Sequence, residues 1–175
     1  MGLFLLSGAA LAGPKSVSAP AAPAVVPTYQ VTLTGYNAVP EQTDDTPFET
    51  ASGAYTNPEI IAARSRDLAA ELPFGTIIAI EAAGADGKNC GYSKVAPLIG
   101  YRVIEDTMNA RYEKYIDVLF DYERGRNPAR LLGVCEGITI RVVGHVKALN
   151  AGKLPKSQKE LAALIEGRPS QLAVK

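Results

Sequence analysis

The stretch Tyr101–Phe120, YRVIEDTMNARYEKYIDVLF, holds two short apolar runs, and an aspartate is set in or against each of them. Asp106 closes the run Tyr101–Glu105, and Asp117 sits inside YIDVLF. Runs of this length, rich in Tyr, Ile, Val and Phe, read as β-strands. Alternate side chains of a strand share a face, so Asp117 lies with Tyr115 and Leu119 while Ile116 and Val118 point the other way. If Ile116 and Val118 fill a barrel, Asp117 faces a groove on its outside. A carboxyl group part-buried among apolar neighbours has its charged form disfavoured, and a second carboxylate nearby pushes its pKa the same way. Such a group can donate a proton near neutral pH. The alternative is structural: Asp117 accepts from backbone amides at a barrel crossover, and Asp106 caps the turn before Met108 and Asn109.

Working outward, four further runs have strand composition: Tyr29–Tyr36, Ile60–Ala63, Thr76–Glu81 and Ile138–Val146. With Tyr101–Glu105 and Tyr115–Phe120 they make six, the number for a small closed barrel. Helical signals are few. Arg66–Glu71 predicts one or two turns and Pro128–Leu132 another, while Ser157–Glu166 begins with a capping box in Ser157 and Glu160 and forms a peripheral C-terminal helix. The polar, glycine-rich insertion Ala82–Gly100 exceeds most strand connections and reads as a rim loop over a groove. No repeat or heptad pattern is present, which removes solenoid and fibrous readings.

At 175 residues, 47% hydrophobic and 21% charged, the chain suits one domain with tails. Eighteen basic residues balance eighteen acidic ones without runs of either sign, so nucleic acid is not an expected partner. Residues 1–12 include the apolar segment GLFLLSGAALA, which has the length of a secretory h-region and is too short to span a bilayer, although no Lys or Arg precedes it. A signal peptide or a short anchor is expected, with export to the periplasm or cell envelope. Residues 13–28 form a linker rich in Pro and Ala, residues 29–147 the barrel domain, and residues 148–175 a tail with a short helix. Cys90 and Cys135 fit no close-spaced metal pattern; a disulfide and two separate thiols both stay open. His145, the only histidine, reads as a core or edge residue.

The chain has no GxSxG elbow, no glycine-rich phosphate loop and no Cys–His pairing in a catalytic context, which leaves carboxylate acid/base chemistry. No cofactor and no metal are expected. Asp44 and Asp45, in TDDTP, read first as turn residues. The segments Gln42–Gly53 (QTDDTPFETASG), Leu72–Thr76 (LPFGT) and Val103–Phe120 together resemble the three-aspartate (3D) domain of bacterial cell-wall enzymes. That family includes the catalytic domain of membrane-bound lytic transglycosylase A and the stationary-phase muralytic proteins of spore-forming bacteria. The resemblance spans about Tyr29 to Val146. Asp67, Asp106 and Asp117 take the places of the three aspartates, and Thr50, Ser52 and Gly53 match a Thr-Ala-Ser-Gly signature.

The resemblance implies a six-stranded double-psi β-barrel that cuts the β-1,4 bond between N-acetylmuramic acid and N-acetylglucosamine, leaving a 1,6-anhydro sugar. Under this reading Asp117 is the acid and then the base, Asp106 raises its pKa, and Asp67 completes the trio. Thr50 and Ser52, next to Gly53, orient the carboxylates or the sugar. Tyr36, Tyr101, Tyr112 and Tyr115 are placed for ring stacking, with ordinary packing the alternative. Lys94 and Arg111 meet peptide or lactyl carboxylates, or simply solvent. Peptidoglycan glycan strands are the expected partner, with peripheral membrane or envelope-protein association also open. Three rival readings are a polysaccharide-binding barrel without catalysis, an inert envelope barrel whose tail docks a partner, and hydrolysis in place of transglycosylation.

Overall fold

The computed structural model describes residues 26–43, 45–82, 89–122, 127–147 and 153–167. The expected leader 1–12, the linker up to residue 25, Asp44, the first part of the Ala82–Gly100 insertion and both ends of the tail lie outside the described residues.

Six strands form where strand composition and alternation placed them: β1 Thr28–Asn37, β2 Ile61–Arg64, β3 Thr76–Glu81, β4 Tyr101–Thr107, β5 Tyr115–Phe120 and β6 Cys135–His145. They close into a barrel in the order β1-β5-β2-β4-β3-β6. The pairs β1·β5 and β2·β4 are parallel and the other four antiparallel. Exchanging β1–β3 with β4–β6 leaves this pairing scheme unchanged. That internal twofold is the connectivity of the double-psi barrel, and closure leaves no sheet edge unpaired.

Adjacent residues on one strand enter different apolar layers. Leu33, Ala62, Ile78, Ile104, Ile116, Val118 and Ile138 fill the barrel. Their neighbours Ile61, Ala63, Ile77, Val103 and Leu119 form an outer layer with Tyr36 and Val143. Both faces of β2 and β3 are covered, so these two read as nearly continuous apolar runs, whereas β1 and β6 alternate.

Helix α3, Gln158–Glu166, covers part of the outer layer with its fully buried Leu161. The Ser157 hydroxyl accepts from the Glu160 amide at 3.3 Å. Glu160 returns its carboxylate to the Lys156 amide, at 2.7 Å, one residue before the position a capping box uses. Gln158 then ties the helix to the barrel: its Oε1 accepts from the Tyr101 amide at 3.0 Å, and its Nε2 donates to the Tyr101 carbonyl at 2.7 Å and to the Glu59 carbonyl.

The expected rim loop Ala82–Gly100 is corrected by the structure, because its second half is helix α1, Tyr92–Ile99. Val95 and Ile99, one turn apart, are buried in the inner cluster. Pro97 lies inside this helix, where proline normally argues against one. Helix α2, Pro128–Leu132, forms as expected, with the Asn127 side chain accepting from the Arg130 amide at 3.2 Å and Pro128 in the first turn. The expected turns at Arg66–Glu71 shorten to a 3-10 turn over Arg66–Leu68.

Cys90 and Cys135 form a disulfide that joins the approach to α1 to the start of β6, with Cα atoms 4.7 Å apart. Arg102 is fully buried, and among the described residues no carboxylate forms an ion pair with it. Its guanidinium donates instead to the carbonyls of Ile99 (2.6 Å), Leu119 (3.3 Å), Ile61 (3.4 Å), Pro58 and Leu98. Burial lowers its pKa to about 10, so it stays charged and ties residues 58–61, residues 98–99 and Leu119 to one point on β4.

Candidate functional site

The site is set by register. On one flank of β5, Asp117 pairs with Thr34 of β1; on the other it pairs with Ala63 of β2. Ala63 is in turn opposite Asp106 of β4. The residues Thr34, Asp117, Ala63 and Asp106 therefore form a row across four adjacent strands. The two aspartates flank Ala63 at two strand spacings, roughly 10 Å between backbones.

Plain alternation would not put both carboxyl groups on one face. Val103 points outward and Ile104 inward, which would send Glu105 outward and Asp106 into the barrel. The β2·β4 ladder instead steps from Ala62↔Ile104 to Ala63↔Asp106, so Glu105 is the extra residue of a bulge. The bulge turns Asp106 outward onto the Asp117 face.

Each carboxyl is held. Thr34 Oγ1 donates to Asp117 Oδ1 at 2.9 Å. Asp106 accepts three bonds: Tyr36 Oη at 2.8 Å on Oδ2, and the Ala51 and Thr107 amides at 3.0 and 2.8 Å on Oδ1. Burial pushes the Asp117 carboxyl up to about 7; the Thr34 bond opposes this and the Asp106 charge adds to it. The expected direction is thus present, with burial as the main cause and the second carboxyl a lesser one. Burial, followed by the proximity of Asp106, raises the Tyr36 hydroxyl well above its ordinary range, so it is a standing donor.

The Thr50–Gly53 segment explains how Asp106 is held. Gly53 takes φ +83° and its amide bonds the Thr50 carbonyl at 2.8 Å, closing a tight turn that favours glycine. Buried Thr50 braces the turn, its hydroxyl meeting Ser52 Oγ at 3.0 Å and the Ala54 amide at 3.1 Å. The Ser52 amide donates to the carbonyl of the bulged Glu105 at 3.1 Å. The turn is thereby seated on the bulge with the Ala51 amide aimed at Asp106. Thr50 and Gly53 shape this support, and Ser52 stands exposed on it.

Asp67 stands outside the row. It is exposed, and its Oδ2 accepts from the Lys114 amide at 3.0 Å, where Lys114 has φ +56°. Partial burial pushes its pKa up, but the Ser65 hydroxyl and the Lys114 amide hold it below the ordinary value. With Ser65 Oγ accepting from the Tyr115 amide at 3.0 Å, Asp67 fixes the entry to β5 three residues before Asp117.

Among the tyrosines, Tyr36 uses its hydroxyl on Asp106 rather than a free ring face. Tyr112 packs tilted on Tyr115 with centroids 5.1 Å apart, and the Arg111 guanidinium lies 4.8 Å over its ring. Tyr101 is half-buried, and Lys94 stands exposed on α1. His145 sits at the end of β6, accepting from the Lys147 amide at 3.2 Å. Among the described residues no group of three or more His, Cys, Asp and Glu side chains is placed to hold a metal ion.

Gly53 and Glu49 also border an open cleft of about 750 Å³, further lined by Asp45, Phe48 and Tyr55. Thr34, Ala51 and Ala63 are site-forming residues that sequence reasoning missed. Thr34 and Ala63 carry no motif and Ala51 is only the alanine of the Thr-Ala-Ser-Gly signature; strand register or turn closure brings them to the aspartates. In comparison with known proteins, the chain matches no family model and no curated protein.

Proposed function

We propose that this barrel is a lytic transglycosylase of peptidoglycan glycan strands, with Asp117 as the acid/base residue. The observation that supports it most is the convergence of Asp117 and Asp106 on one outer face across Ala63, each oriented by its own hydrogen bonds. The resemblance of TASG, LPFGT and the Asp106–Asp117 segment to the three-aspartate domain points the same way.

In this reading the protonated Asp117 gives its proton to the glycosidic oxygen as the bond from C1 of N-acetylmuramic acid breaks. Positive charge developing at C1 is stabilised by the Asp106 carboxyl, whose position Tyr36 and the Ala51 amide fix beforehand. Asp117, now a carboxylate, takes the proton of the muramyl C6 hydroxyl as that oxygen bonds to C1. Acid and base are the same group, so the reaction needs one titrating carboxyl rather than the matched pair of ordinary glycosidases. Thr34 keeps that carboxyl turned to the groove in both states.

A chain with this substrate works outside the cytoplasm, in the periplasm or cell envelope, and the Cys90–Cys135 disulfide supports an oxidising compartment. No helix among the described residues is long and apolar enough to cross a membrane. The test is Asp117→Asn on purified sacculi. Turnover measured by release of soluble fragments should fall at least about a thousandfold, within the range that general acid–base catalysis supplies, while co-sedimentation with sacculi persists. A variant that solubilises sacculi at the wild-type rate overturns the proposal. A wild type that sediments with sacculi but never cleaves them makes this a binding barrel.

A further inference from the structure

Phe48 and Tyr55 leave 58% and 74% of their surface in solvent, although rings of this size are normally used to build cores. They are not scattered singly. Their planes lie within 12° of parallel with centroids 6.1 Å apart, and both line the cleft of about 750 Å³. The backbone fixes them there. Glu49 bridges Tyr55, the Thr56 amide donates to the Phe48 carbonyl at 3.1 Å, and the Thr50 amide donates to the Ala54 carbonyl at 2.8 Å. Phe48–Thr56 is therefore a small hairpin, and its tip is the Thr50–Gly53 turn whose Ala51 amide holds Asp106. One rigid element carries both an unused aromatic surface and a ligand of the acidic row.

We infer that this cleft is a glycan subsite, in which the Phe48 and Tyr55 rings take the apolar face of a pyranose further along the strand from the bond cut at Asp117. Asp45 and Glu49 line the same cleft and supply acceptors for sugar hydroxyl and N-acetyl N–H groups. Flat, pre-positioned rings with a few polar groups at the margin suit a repeating polymer, since each sugar offers the same apolar face. The continuity of the cleft with the turn that holds Asp106 selects a strand lying across both over an unrelated partner. This inference rests on the glycan reading of the Asp106–Asp117 row, but it concerns binding, which can be followed without cleavage.

The experiment compares the full-length wild type, Asp117→Asn and the double variant Phe48→Ala with Tyr55→Ala. The probe is a length series of glycan strands freed of stem peptides, from one disaccharide upward, and the readouts are affinity and melting temperature. For the wild type and Asp117→Asn, affinity rises with strand length. In the double variant the gain with length disappears, with about a tenfold loss on long strands for two aromatic contacts, and the melting temperature is unchanged. If the alanine pair melts lower, Phe48→Leu with Tyr55→Leu keeps apolar bulk without flat faces and should show the same loss. Equal binding of long strands by wild type and double variant overturns the inference, as does a wild type that binds no strand. Binding that depends on Phe48 and Tyr55 without any 1,6-anhydro product leaves the subsite standing and removes the catalytic reading.

Discussion

A single substitution separates the cost of Asp117 from its use. Its pKa is about 7 in the fold against an ordinary 3.8, so folding favours the protonated form. The stability tied to this group is fully present below pH 4 and is lost as pH rises towards 7. The full shift corresponds to about 4 kcal/mol as an upper limit, reduced by the solvent that still reaches the groove. Asparagine does not titrate, so Asp117→Asn should melt higher than wild type at pH 8, and thermal melts should show the difference shrinking to nothing near pH 4. In the active wild type, kcat/KM should fall on the alkaline side of about pH 7, where the free enzyme loses its acid. Tyr36→Phe removes one of the three bonds on Asp106. A loss of about 1 kcal/mol of orientation should appear as a several-fold lower kcat with sacculus binding retained. Asp117 was legible at this scale because a lone charge in YIDVLF needs a reason. Thr34 and Ala63 were not, since each matters only through the strand beside it.

The bulge at Glu105 is the element that makes two aspartates into one site. Deleting Glu105 should close the bulge and leave Asp106 directly after Ile104, still outward opposite Ala63, but without the Glu105 carbonyl that seats the Thr50–Gly53 turn. Turnover should then fall several-fold as the Ala51 amide loses its fixed place on Asp106, about 1 kcal/mol of orientation, with sacculus binding retained. Wild-type activity in the deletion would show that the Glu105 carbonyl does not hold that turn. The six strands could be read from composition, β2 and β3 as continuous apolar runs covered on both faces and β1 and β6 as alternation with one face open, but VIED carries no sign of the bulge. Asp67 was legible only through the family pattern, and its bond to the Lys114 amide gives it a place in the β5 entry rather than in the acidic row. Helix α1 was hidden by Pro97, by Gly91 and by the glycine-rich residues before it. Its Val95/Ile99 spacing was the available signal, too short to outweigh them. The Ser157 cap made α3 legible, whereas the Gln158 clamp on Tyr101 was not, because it depends on an edge that exists only in the folded barrel.

At the scale of the molecule, a closed barrel leaves no edge to open, and stability outside the sheet rests on how the helices are attached. The Cys90–Cys135 bond closes a loop of 45 residues and ties the α1 segment to β6, a constraint worth about 4 kcal/mol on loop-entropy grounds. Reduction with a thiol should lower the melting temperature markedly, and Cys90→Ser with Cys135→Ser should reproduce the shift without added reductant. An unchanged melt would mean that the barrel needs no such tie. The larger claim is that a barrel with an acidic row on its outside performs an intramolecular sugar transfer. It is tested most directly by mass spectrometry of the fragments released from purified sacculi. The account predicts 1,6-anhydromuramyl ends from the wild type and none from Asp117→Asn; reducing ends from the wild type, or the same anhydro products from the variant, would contradict it.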